Sequence, residues 1–154
     1  MRAVIQRVEK AEVSVDGQVK GVCGYGLFIL LGVAPNDTEA DACVLAEKIS
    51  KLRIFSDENG NMNLSVNDVN GEVLVISNFT LYADYKKGNR PSFFDSAPPD
   101  LAEKLYNYFI AQLREKVPKA ESGIFGAHMK INAVCDGPVT INMDSEVFKK
   151  KHDT

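Results

Sequence analysis

The chain has 154 residues, 45% hydrophobic and 25% charged, with 18 basic and 21 acidic side chains. That length makes one domain with room for a real core. A net charge of −3 argues against a general polyanion binder but leaves room for a local basic patch that holds RNA.

Three widely spaced cysteines, Cys23, Cys43 and Cys135, come with no Cys-x-x-Cys or His-x-x-x-His spacing. A structural zinc site is therefore not expected, and free thiols in a reducing cytoplasm fit best. Met1 to Val8 reads directly as a strand with no signal-peptide core, and the apolar run Leu27 to Val33 is too short to span a bilayer. A cytoplasmic protein with no membrane or DNA partner is the expectation.

Arg2 to Glu9 alternates as a strand, and Glu12 to Asp16 with Gly17 enters a hairpin that returns through Gln18 to Val22. Leu27 to Val33 is apolar on both faces and predicts a central strand. Asn36-Asp37-Thr38 starts a helix whose face is marked by Ala42, Leu45, Ile49 and Leu52, ending near Arg53. Turns follow at Asp57-Glu58-Asn59-Gly60 and Asn70-Gly71, with a weak strand between them over Met62 to Val66.

Glu72 to Ile76 is a second buried strand, running on into Ser77-Asn78-Phe79-Thr80-Leu81. A long loop from Ala83 to Pro99 carries Lys86, Lys87 and Arg90. Pro98-Pro99-Asp100 opens a second helix, marked by Leu101, Leu105, Tyr108, Phe109, Gln112 and Leu113 and bounded by Pro118.

Two alternating runs then flank Asp136-Gly137-Pro138. Asp-Gly is a strong turn signal, so this region predicts a β-hairpin, although a Pro belongs at a strand start or a sheet edge. The pattern as a whole predicts an α+β fold with antiparallel or mixed sheets and two main helices packed on them. One domain spans 1–148, and the polar residues 149–154, with Lys149 and His152 among them, form a frayed tail.

The residues offer little conventional catalytic machinery. Thr80 has a hydroxyl, but a nucleophilic Thr needs an adjacent base, and neither His128 nor His152 is placed near it by the sequence. Cys135 reads as a small buried hydrophobe, and no pair of acids stands out for acid–base work. No metal or cofactor is expected. Lys86, Lys87 and Arg90 are either solvated charge or phosphate contacts.

Taken together, the segments resemble the D-aminoacyl-tRNA deacylase family, also called D-tyrosyl-tRNA deacylase. The likeness runs from the opening Met-Arg-Ala-Val-Ile-Gln-Arg-Val through the Lys-Lys-Gly-Asn-Arg-Pro-Ser-Phe loop to Gly-Ile-Phe-Gly-Ala-x-Met. The family signatures Ser-Gln-x-Thr-Leu and Asn-x-Gly-Pro-x-Thr read here as Ser77-Asn78-Phe79-Thr80-Leu81 and Cys135-Asp136-Gly137-Pro138-Val139-Thr140. Asn78 thus stands where the family has Gln, and Cys135 where it has Asn.

The resemblance implies a homodimer with active sites at the subunit interface. Gly137-Pro138 of one subunit, with a cis peptide, would enter the site of the other and hold the aminoacyl group of a charged tRNA. Arg7 would support that unit. Ser77, Asn78, Phe79 and Thr80 would line the catalytic pocket for the terminal adenosine and its ester, and Gly126, Ala127 and Met129 lie on the matching pocket segment.

The implied reaction hydrolyses the ester of D-aminoacyl-tRNA, accepts glycyl-tRNA to some degree and rejects the L-aminoacyl form, a chiral proofreading of translation. The ribose 2′-hydroxyl of the tRNA would assist the attacking water. The alternative is a tRNA-binding homologue weakened in catalysis by Asn78 and Cys135.

Overall fold

The computed structural model describes residues 1–149, so the expected tail beyond Lys149 lies outside the described residues. The fold is α+β. Its spine is β1 (Arg2–Val15), a single strand of 14 residues that replaces the separate strands expected on either side of Lys10. Ala3, Ile5, Val8, Ala11 and Val13 are buried along it. The hydrophobic stripe therefore carries through Glu9-Lys10, and a register shift there absorbs the change of face.

On one edge, β1 pairs antiparallel with β3 (Gly26–Gly32) along its first half and with β2 (Gln18–Cys23) along its second. β3 is central, as its apolar sequence predicts, because β6 (Glu72–Ser77) runs parallel to it on the far side. A short strand that the sequence did not announce, β7 (Ala120–Ser122), extends the sheet beside β6. The resulting mixed sheet has the order β2-β1-β3-β6-β7, and β4 (Phe55–Ser56) and β5 (Met62–Leu64) make a separate small pair. The large sheet curls until β2 meets β7: a Cβ on Gly21 would stand 2.7 Å from the Ser122 carbonyl oxygen.

That curl divides the apolar side chains in two. Leu27, Ile29 and Leu31 face α1 (Glu39–Lys51) and α2 (Pro99–Lys116), with Leu45, Ile49, Leu105 and Phe109 packed against them. Phe28, from the opposite face of β3, joins Val8, Val13, Leu74 and Ile76 inside the curl. The period of a strand thus feeds two cores from one sequence.

Helix α1 starts where expected: Asp41 accepts the Thr38 N–H at 2.8 Å, tying the first turn together. Helix α2 has Pro at its start. Its buried stripe runs through Leu105, Tyr106, Phe109, Ile110 and Leu113, so Tyr106 and Ile110 take the place that the sequence reading gave to Tyr108 and Gln112.

The expected final hairpin does not exist. β8 (Lys130–Asp144) is one strand of 15 residues that pairs antiparallel with β1 along almost its whole length. Asp136-Gly137-Pro138 bulges out of it instead of reversing it. Between the pairs Val8–Cys135 and Gln6–Thr140, β1 advances two residues while β8 advances five, which leaves three residues looped out. The physical reason is the length of β1, which offers a pairing partner on both sides of the bulge. The Pro is tolerated because β8 is an edge strand and because it sits in a bulge.

Candidate active site

Strand β6 carries an unbroken apolar run, Val73 to Ile76, and emerges at Ser77. The chain does not continue as a strand beyond this point, contrary to the sequence expectation. Asn78 caps a 3-10 turn over Phe79–Tyr82. Its Oδ1 accepts the Thr80 N–H at 3.2 Å and also the Thr80 hydroxyl. The Phe79 N–H comes first in this turn and has no acceptor within it.

A cavity of about 560 Å³ opens beside the turn. Ser77, Asn78 and Phe79 form one wall, and Gly126, Ala127 and Met129, from the segment that leads into β8, form another. Leu31 and Val33, at the end of β3, and Ala97 and Ala102, at the start of α2, add apolar surface. The Ala97 N–H bonds the Val33 carbonyl at 2.8 Å and fixes that corner. Phe79 and Phe93 meet edge to face with ring centroids 4.9 Å apart. The size and the mainly apolar lining suit a small organic group with a few polar contacts.

Phe93, Ser96, Ala97 and Phe125 also line the cavity and had no assignment from the sequence. Ser96 gave no sequence signal, yet its Oγ is the one buried side-chain polar atom without a partner among the described residues. Phe125 lies inside the Gly-Ile-Phe-Gly-Ala segment, whose glycines could have flagged it.

Among the described residues, no charged side chain lines the cavity. Thr80 lies just outside it, exposed, with its hydroxyl committed to Asn78. Tyr106 lies beneath, with ring centroids 5.9 Å from Phe125. Burial pushes its phenol up to about 12, and it donates to the Val75 carbonyl at 2.9 Å, so it is a neutral structural donor. Burial likewise raises the Cys23 thiol to about 11, which keeps it protonated at neutral pH. His128 is exposed and is absent from the cavity wall.

Arg7, Gly137 and Pro138 form a second group, and none of them lines this cavity. The Gly137-Pro138 peptide is cis. The largely buried Arg7 guanidinium braces the bulge from below: Nε donates to the Asp136 carbonyl at 3.2 Å and pairs with its carboxylate at 3.1 Å. Its Nη1 donates to the Ile54 carbonyl at 2.8 Å. Cys135 is exposed on β8, which corrects the expectation of a buried residue, because nearly all of this strand faces outward.

Lys86, Lys87 and Arg90 are exposed near the tip of the 83–98 loop, which a pair of reciprocal Asp84–Ser92 backbone bonds at 2.8 Å pinches into a small hairpin. Asp37, Asp41 and Glu146 bring three carboxylates together elsewhere. The Met1 ammonium on Asp37 and Lys149 on Asp41 and Glu146 already balance that group, and it shares no residue with the cavity.

The family model described as D-Tyr-tRNA(Tyr) deacylase matches residues 4–144. The chain belongs to the D-Tyr-tRNA(Tyr) deacylase family. It is thereby a member of a hydrolase family, as the resemblance implied. A D-aminoacyl-tRNA deacylase of Thermosipho africanus is 55% identical over 95% of this chain and 98% of its own length. One of Caldicellulosiruptor saccharolyticus is 56% identical over the same shares. Among solved structures, a c-Myc DNA unwinding element binding protein superposes with a TM-score of 0.88 at 40% identity, covering 94% of this chain and 98% of that one. The cavity and the braced bulge both fall inside the stretch that the deacylase family model matches.

Proposed function

We propose that the chain hydrolyses the ester bond of D-aminoacyl-tRNA in the cytoplasm, releasing a free D-amino acid and reusable tRNA. Membership of the deacylase family over nearly the whole chain carries this reading. The terminal adenosine and its ester occupy the cavity beside Ser77, Asn78 and Phe79, with Gly126, Ala127 and Met129 opposite.

An aminoacyl ester is already activated, so the catalyst needs chiefly to hold it and to stabilise the oxyanion. The Phe79 N–H, free of the turn that it begins, supplies a donor for that oxyanion. The uncharged cavity wall and the committed Thr80 hydroxyl argue for water as the nucleophile, with the ribose 2′-hydroxyl assisting it. Lys86, Lys87 and Arg90 contact tRNA phosphates.

A second copy of the chain completes the site. Among the described residues strand β8 pairs with β1 alone, only Val139 of its 15 residues is buried, and Ile131 and Val134 stand exposed. Such an edge invites coverage. In the homodimer, Gly137-Pro138 of one subunit enters the other's cavity, and its carbonyls bracket the substrate ammonium and Cα. A D side chain then points to open space, an L side chain meets the carbonyls, and glycine has nothing to clash. Because the determinant is backbone, several D-amino acids are processed.

The test is release of labelled amino acid from D-Tyr-, L-Tyr- and Gly-tRNA. D-Tyr is released, Gly is released to some degree, and L-Tyr stays attached. Equal rates on D- and L-Tyr-tRNA would sink the reading.

A further inference from the structure

The loop that closes one side of the cavity exposes aromatic rings for which the chemistry at the ester has no use. Phe94 is 94% exposed and Tyr85 is 80% exposed, more than any other large hydrophobic residue among those described. Rings left so open to water forgo the burial that their size offers, and they commonly mark a contact surface.

Both rings belong to the loop pinched at Asp84–Ser92. Tyr85 borders a second, shallower depression of about 580 Å³ together with Lys86 and Asp95. Phe94 sits between Phe93 and Ser96, which both line the cavity. Phe94 itself is absent from the wall, and its Cα lies one step of about 3.8 Å along the chain from that of Phe93. Lys86, Lys87 and Arg90 lie between the two rings in the sequence. None of them enters an ion pair among the described residues. Asp84 accepts the Lys86 backbone N–H at 3.0 Å, and Asp84 and Asp95 border the same depression without pairing with these cations.

Aromatic faces interleaved with free cations form the recognition chemistry of unpaired nucleic acid: rings stack on bases, and cations meet the phosphates between them. We infer that Phe94 and Tyr85 form a stacking platform for the unpaired nucleotides that immediately precede the terminal adenosine of the tRNA, with Phe94 taking the base next to the cavity. The inference rests on the reading of the cavity as the terminal-nucleoside site. A protein partner would also cover exposed rings, but the unpaired cations in the same short loop favour RNA.

The experiment uses the full chain with Phe94→Ala, Phe94→Leu, Phe94→Trp and Tyr85→Ala. Two readouts are taken: affinity for uncharged tRNA, intact or lacking its three terminal nucleotides, and kcat/KM on D-Tyr-tRNA against the 3′ D-tyrosyl ester of adenosine. Loss of one stacked base corresponds to roughly a 5- to 150-fold effect.

Phe94→Ala should therefore weaken intact tRNA about tenfold and lower kcat/KM on D-Tyr-tRNA about equally. It should leave the adenosine ester and the trimmed tRNA unaffected. Phe94→Leu should behave like Ala, and Phe94→Trp like the parent. Tyr85→Ala should follow the same pattern with a smaller loss.

Equal losses on tRNA and on the adenosine ester would overturn the inference and make Phe94 part of the cavity. So would unchanged affinity for intact tRNA, or a changed sedimentation of the protein with RNA affinity intact. If the parent hydrolyses neither ester, the deacylase reading fails, while the tRNA-binding arm still decides the platform.

Discussion

Asn78 Oδ1 receives both hydrogens that Thr80 can give, from its N–H at 3.2 Å and from its hydroxyl. The carbonyl half of the Asn78 amide is thereby spent on its own 3-10 turn, in a residue that also lines the cavity. This changes what the substitution of Gln by Asn means. A Gln would carry its amide one methylene further and would fit the cap less well, and losing an N-cap costs about 1 kcal/mol. Asn78→Gln should therefore change kcat on D-Tyr-tRNA by less than about tenfold. A large gain would show that the chain is impaired by its own Asn and would favour the tRNA-binding alternative.

The same pair bears on mechanism. Among the described residues the Thr80 hydroxyl bonds only Asn78 and no base, so Thr80→Val should lower the rate only through a looser turn. Mass spectrometry of the parent quenched during turnover should find no acyl adduct. A covalent aminoacyl group on Thr80 or Cys135 would contradict a direct attack by water.

Arg7 braces Asp136 and Ile54 by side-chain bonds to both carbonyls. Hydrogen bonds to a charged group are worth about 1.5–3 kcal/mol each. Arg7→Met should cost about 3–6 kcal/mol in urea unfolding, and it should also lower activity, because the bulge loses its support. Arg7→Lys should not restore activity, since one ammonium on a flexible stem cannot reproduce the fork. Activity retained in Arg7→Met would detach this brace from the site.

Ser96 offers a sharper probe of the cavity. Its Oγ is buried without a partner. Ser96→Ala should leave stability unchanged or raise it slightly, since no protein hydrogen bond is lost. If the hydroxyl meets the bound nucleoside, KM should rise severalfold with kcat little changed. An unchanged KM would assign the hydroxyl no ligand contact.

Acid stability should run through Asp41. Burial pushes its carboxyl up, but the Ser145 hydroxyl, the Thr38 N–H and the Lys149 ammonium pull it below its ordinary value of 3.8. A depressed acid contributes stability above its unfolded pKa and loses it as pH falls through the folded value. Asp41→Asn should thus be less stable than the parent at pH 7, with the gap closing below about pH 4. A gap that widened in acid would reverse the sign.

Much of this architecture is legible in the sequence. Apolar runs over Leu27–Val33 and Glu72–Ile76 become the buried parallel pair, and Thr38 and Pro99 start helices. What misled was local chemistry overridden by long-range pairing. Asp136-Gly137 reads as a turn, yet β1 is long enough to hold β8 on both sides of it. Ser77-Asn78-Phe79-Thr80 reads as more strand, although Asn two residues before Thr80 was an available cap signal. Of the candidate residues, Ser77, Asn78 and Phe79 come together with Gly126, Ala127 and Met129. Ser96 and Phe93 could not be found that way, because only the folded loop brings them to the wall.

In the proposed homodimer, Gly137-Pro138 of one subunit serves the cavity of the other. Gly137 has φ +142°, and a Cβ there would sit 2.5 Å from the Val139 nitrogen, so Gly137→Val must reshape the bulge. The decisive measurement mixes Gly137→Val with a variant broken on the cavity side, Phe79→Ala combined with Met129→Ala, after proven subunit exchange. Each protein alone should be inactive on D-Tyr-tRNA. The mixture should regain up to one working site per heterodimer, with L-Tyr-tRNA still refused. No recovery in the exchanged mixture would contradict the cross-subunit site.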